Sequence, residues 1–186
     1  MNALRRHALD IAAFIWGVAE ATLLFIVPDV LLSYIGLKRG VTEAARASAI
    51  TAIGAALGGA LMFLWSAADP AAARAAVLAV PAIGEAMSAN AEAAMAQNWF
   101  VATLLGPLSS TPFKLYAILA PYAGASLPAF ALAGVVARLP RFLVIGCGTA
   151  LLARALRDRL SQQQLLWLLA GAWIVFYAAF FALMPN

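Results

Sequence analysis

Apolar residues along this chain gather into five long runs separated by short polar stretches. The second run (47–68) and the fifth (165–184) carry no charge. Each has about the twenty residues that a helix needs to cross a ~30 Å hydrocarbon layer. The fourth (127–152) is interrupted only by Arg138-Leu139-Pro140-Arg141 and reads as a third spanning helix. The first (11–36) and third (98–124) are different, because prolines break them. The first breaks at Pro28-Asp29, and the third over Gly106-Pro107-Leu108-Ser109-Ser110-Thr111-Pro112. Past Pro28, and again before Pro107, the uninterrupted apolar stretch reaches only about 12 Å as a helix, too short to span. Each broken run is either one kinked span or a hairpin that enters and leaves on the same side.

The basic residues favour hairpins. With both broken runs re-entrant, Arg5, Arg6, Lys38, Arg39, Arg46, Arg154, Arg157 and Arg159 share one side. The other side holds the 69–97 connector, with Arg74 against Asp69, Glu85 and Glu92. That asymmetry places the N-terminus in the cytoplasm. The expected fold is therefore all-α and membrane-integral, one domain over 1–186. Its two re-entrant hairpins, 11–36 and 98–124, are each followed by a transmembrane helix, with a last transmembrane helix at 165–184. Pro28 and Pro112 occupy matching places in the two halves, entered from opposite sides, so the halves form an inverted repeat with a site at the midplane. The Ala-rich connector 69–97 is expected to be one or two short helices on the outer surface, or simply a solvated link.

Composition agrees and narrows the function. Of 186 residues, 65% are hydrophobic and 11% charged, against about 25% charged in soluble domains. Mean hydropathy is +0.93. The single cysteine, Cys147, excludes an intramolecular disulfide, and the single histidine, His7, sits near the N-terminus. No zinc cluster, cofactor fingerprint, nucleophile–base pair or nucleic-acid patch is visible. These absences point away from an enzyme, a cofactor and a nucleic-acid partner. Arg5-Arg6 before an apolar run suggests a signal peptide, but Glu20 interrupts the run and no small-residue cleavage site closes it, so cleavage is not expected.

Five charges lie inside apolar runs: Glu20, Asp29, Lys114, Arg138 and Arg141. Each costs roughly 2.5–3.5 kcal/mol at a helix centre, so each needs a wet cavity, a partner charge or a ligand. The acids come from the first half and the bases from the second. Thr111-Pro112 predicts a helix start with a hydroxyl cap and proline in the first turn, opening a half-helix over 112–120. Ser109, Ser110 and Thr111 offer hydroxyls there, with Lys114 in the first turn. Arg138 and Arg141, three apart, share a helix face. This set suits an anion such as a phosphate. Glu20 and Asp29 suit proton exchange, since burial in low dielectric favours the neutral carboxylic acid. The bland readings are structural ion pairs for the charges, capping for the hydroxyls, and close packing for Gly17, Gly54, Gly58, Gly59 and Gly134. Trp16, Trp65, Trp99, Trp167 and Trp173 read as interface anchors or core.

Glu20-Ala-Thr-Leu-Leu-Phe-Ile-Val-Pro28-Asp29-Val-Leu-Leu resembles the N-terminal hairpin of DedA (VTT-domain, SNARE-associated) membrane proteins, closest to the short YqaA-like branch. Gly106-Pro107, Thr111-Pro112-Phe113-Lys114, Ala123-Gly124 and Pro128 resemble that family's second hairpin, and Arg138 and Arg141 fall where it has basic residues in the next helix. The resemblance implies two inward-facing re-entrant hairpins in a multi-pass protein of the bacterial cytoplasmic (inner) membrane. It also implies flippase- or scramblase-type handling of undecaprenyl phosphate or a phospholipid. The expected function is thus transport of a phosphate-bearing lipid, with Lys114, Arg138, Arg141 and Ser109, Ser110 and Thr111 on the headgroup and Glu20 and Asp29 coupling to protons. Proton-coupled efflux of small cations and a non-transporting membrane scaffold or assembly factor are the alternatives.

Overall fold

The computed structural model describes residues 3–109 and 111–183, with side chains from His7 onward. Ser110, expected in the site, lies outside the described residues. Among those described, the regular structure is helical, without a strand: α1 (Ala3–Ala21), α2 (Asp29–Arg39), α3 (Val41–Ala68), α4 (Pro70–Leu78), α5 (Glu85–Leu105), a 3-10 turn (Gly106–Leu108), α6 (Phe113–Leu119), α7 (Leu127–Leu156) and α8 (Gln162–Leu183). Three of these, α3, α7 and α8, are long and apolar enough to cross a membrane. The two broken runs become α1–break–α2 and, in the second half, the end of α5, the 3-10 turn and α6. The apolar part of α1, 11–21, reaches only about 16 Å.

Small residues set how closely the helices approach. A Cβ on Gly17 would strike the Thr51 carbonyl, one on Gly54 the Phe14 carbonyl, and one on Gly58 the Val18 carbonyl, so α1 lies directly on α3. Gly36 of α2 stands in the same relation to the Gly146 carbonyl of α7. Gly59 and Gly134 instead leave room for the Phe113 ring. Such small-residue contacts let backbones meet where lipid offers no hydrophobic drive. Pro140 lies within α7, which stays helical through it.

The connector is more structured than a solvated link. Asp69 caps α4, its carboxylate accepting from the Ala72 N–H at 3.0 Å, with Pro70 in the first turn. Ala73, Val77, Val80 and Ile83 then join the same core cluster as Met62, Phe113 and Phe130. Alanine and valine look featureless in the sequence, yet their small size permits close packing. α5 is two helices in series. Asn98 is extended (φ −161°, ψ 100°), and its side-chain oxygen accepts from the N–H groups of Phe100 and Val101, each at 3.1 Å. Asn98 is thus the cap of the second piece, at the start of the broken run read from the sequence.

Candidate functional site

Breaking a helix inside an apolar layer frees backbone groups that must find partners. Around the first break, residues 22–28, side chains supply them. The Trp16 indole donates to the Ile26 carbonyl at 2.9 Å, and the Val27 N–H donates to the Tyr177 hydroxyl at 3.1 Å. The Lys114 ammonium donates to the Leu24 carbonyl at 2.8 Å. Lys114 therefore ties α6 to the first break across the molecule. Around the second break, the Ser109 hydroxyl donates to the Gly106 carbonyl at 3.0 Å and lies 3.3 Å from the Tyr116 hydroxyl. Thr111 does not cap α6. Pro112 holds the cap position without a side-chain bond, and its extended backbone delays the helix by one residue; α6 also ends one residue early, at Leu119, leaving 7 residues.

The charges meet as acid from the first half, base from the second. Arg138 pairs with Glu20, and Arg141 with Asp29, both through direct guanidinium–carboxylate hydrogen bonds. Glu20 is near the end of α1 and Asp29 opens α2, so the break between those helices sets the two acids apart. Three residues along α7 match that separation. The Arg138 guanidinium also lies 5.0 Å from the centre of the Phe113 ring and 5.1 Å from that of Phe142, a cation–π arrangement. Asp29 is 1% exposed, and one of its carboxylate oxygens has no hydrogen-bond partner. Lys114 is 3% exposed and, among the described residues, makes no carboxylate contact at ion-pair distance.

These groups border one cavity of about 370 Å³. Glu20, Lys114, Arg138 and Arg141 contribute charge to its wall, and Ser109 and Thr111 contribute hydroxyls. Asp29 is not part of the wall and sits behind Arg141. The remainder is largely apolar: Phe25 and Val27 from the first break, Val80 and Ile83 from the connector, and Phe176, Tyr177 and Phe180 from α8. Sequence reasoning missed the connector and α8. The α8 contribution had a signal, since Trp173, Phe176, Tyr177 and Phe180 recur at helical spacing and so share one face. The connector had only the turn residues Pro81 and Gly84 to mark where it bends back.

The described residues contain no cluster of three or more histidine, cysteine or carboxylate groups placed to hold a metal ion. Chemically, the arrangement is a cationic, hydroxyl-bearing patch at one side of an apolar hollow, with one carboxylate on the wall and one behind it. Comparison of the chain with protein-family profiles, with curated proteins and with solved structures finds no match.

Proposed function

We propose that this chain is a flippase- or scramblase-type transporter of a phosphate-bearing lipid, a relative of the DedA (VTT-domain) proteins of the YqaA-like branch. In this reading the two broken runs are re-entrant hairpins of an inverted repeat in the bacterial inner membrane, with the N-terminus cytoplasmic. The observation that carries the proposal is the meeting of Lys114, Arg141, Ser109 and Thr111 on one side of a cavity whose other walls are aromatic and aliphatic. A lipid headgroup needs the first set and its chain the second. Buried cations are costly in an apolar layer unless something negative answers them. Glu20 and Asp29 answer two of the three while the site is empty, and a phosphate takes the place of Asp29 on Arg141 when it is full. A carboxylate released from its arginine in such surroundings takes up a proton, which couples the step to protons.

Reconstitution into proteoliposomes with fluorescent phospholipid, and separately with a polyprenyl phosphate, tests this. Lys114→Ala and Arg141→Ala are each expected to slow translocation at least tenfold, the scale of one charge-assisted hydrogen bond. Wild-type rates in both variants sink the proposal. A second reading, a scaffold or assembly factor, draws on the fact that both acids already have an arginine partner. It expects the double swap Asp29→Arg with Arg141→Asp to restore full function, which phosphate binding by Arg141 forbids.

A further inference from the structure

α8 is attached unevenly along its length. Near its start Leu165 is buried against Leu37 of α2 and Ala153 of α7, with Leu166 and Leu169 alongside. From Gly171 to Leu183 no side chain is fully buried. What holds this distal half is a short set of contacts to the first broken run. The Tyr177 hydroxyl accepts the Val27 N–H at 3.1 Å, and the Trp173 indole donates to the Ser33 hydroxyl at 3.0 Å. The Phe25 ring meets those of Tyr177, Phe180 and Phe181 with centroids 5.8, 5.3 and 5.1 Å away. The same half supplies Phe176, Tyr177 and Phe180 to the cavity wall. This wall is held with no fully buried side chain of its own.

Gly171 sits between the pinned and loose halves. A Cβ there would meet nothing within 4 Å, so no close approach requires the glycine, unlike Gly17, Gly36 or Gly54. Glycine in a helix interior costs about 1 kcal/mol relative to alanine because it leaves the backbone free. We infer that the distal half of α8 is a lateral door to the cavity, hinged at Gly171 and latched by the Tyr177–Val27 hydrogen bond, through which a membrane lipid enters between α8 and the first break. The identity of the cargo rests on the transport reading above; the motion of the door does not.

The latch has a physical logic. Val27 lies in the break, and its N–H takes part in no helical bond. Left bare in an apolar layer such a group is costly. Tyr177 removes that cost when the door is closed. A phosphate or ester oxygen of an arriving lipid can accept the same N–H when it is open. Opening is thereby favoured when a polar lipid is present to replace the tyrosine, and disfavoured when only hydrocarbon would.

The test uses the full chain in nanodiscs, with Cys147→Ala so that only introduced thiols react. Thr103→Cys puts a thiol at a fully buried position on the cavity wall, and Ser66→Cys puts one at a buried position outside it. Tyr177→Phe is expected to raise the labelling rate at position 103 roughly fivefold, the scale of one net hydrogen bond, with position 66 unchanged. Ser33→Ala is expected to do the same more weakly, and Gly171→Ala to slow labelling. An equal rise at both reporters, or no response at position 103 to any of the three, overturns the door. A second arm joins Ser33→Cys and Trp173→Cys with a reducible bifunctional thiol reagent. Phospholipid translocation should stop when the link forms and return on reduction; unchanged translocation in the linked protein also overturns the door. If the wild-type chain moves no lipid, the transport reading fails and the labelling arm alone decides.

Discussion

Glu20–Arg138 and Asp29–Arg141 are the same pairing made twice, an acid of the first half against an arginine of α7, yet they are built for different work. In the first, the side chains are 10% and 7% exposed, and two aromatic rings flank the guanidinium. In the second, the side chain of Asp29 is 2% exposed and that of Arg141 is 41% exposed. Separating two withdrawn partners leaves the desolvation of both charges uncompensated. A buried acid facing a half-open arginine can lose that arginine to a ligand. The difference teaches that residue type and spacing nominate a charge, while exposure decides whether it is a fastener or a contact. It divides the basic set: Arg138 is the buried tie between α1 and α7, and Arg141 is the arginine left part-exposed at the cavity, the one that meets the headgroup in the transport reading proposed above.

The sharpest way to break this contrast is at its buried member. Arg138→Ala strands Glu20 and is expected to lower stability by about 3–5 kcal/mol, read as the unfolding midpoint in detergent. Glu20→Leu with Arg138→Met should regain most of it, since a packed apolar pair can replace a buried ion pair. If the single variant unfolds at the wild-type midpoint, Arg138 is no fastener. Arg141→Ala is expected to lower stability by less than Arg138→Ala while slowing translocation at least tenfold; the reverse ranking would exchange the two roles. Phe113→Leu removes one ring from Arg138 along with core packing against Phe130, and its cost is expected to be about 0.5–2 kcal/mol larger with Arg138 present than when Arg138 is already methionine. The smallest effect is expected at the exposed Arg74–Glu85 pair, whose side chains are 41% and 73% exposed. Arg74→Ala should change the midpoint by about 0–1 kcal/mol, which calibrates how much of the Arg138 effect comes from burial.

Much of the helical layout was legible in the chain. Apolar length marks α3, α8 and, despite the Arg138-Leu139-Pro140-Arg141 interruption, α7, and proline marks both breaks, since it fixes φ and lacks an N–H. Gly17, Gly54 and Gly58 read as close-packing positions, and the structure shows that what they pack is α1 on α3. The start of α6 was misread by one residue because Thr111-Pro112 fits a cap by type, and only the extended backbone at Pro112 shows that Thr111 does not use it. In the connector the short helices expected are present, but their packing into the core was not legible, because alanine carries too little hydropathy to distinguish a packed helix from a solvated one.

What the sequence determined by itself is local: the helical runs, their breaks and the five charges that apolar surroundings make expensive. Chain length, proline and hydropathy act over a few residues, so they can be read in order. What only the tertiary structure decided is which charge faces which, that at the same cavity wall Arg138 is buried while Arg141 is part-exposed, and that α8 lines that cavity with Tyr177. Those outcomes depend on groups 112 to 150 residues apart in the chain. They are set by where helices touch and how much solvent-accessible space is left between them, and no local pattern encodes that space.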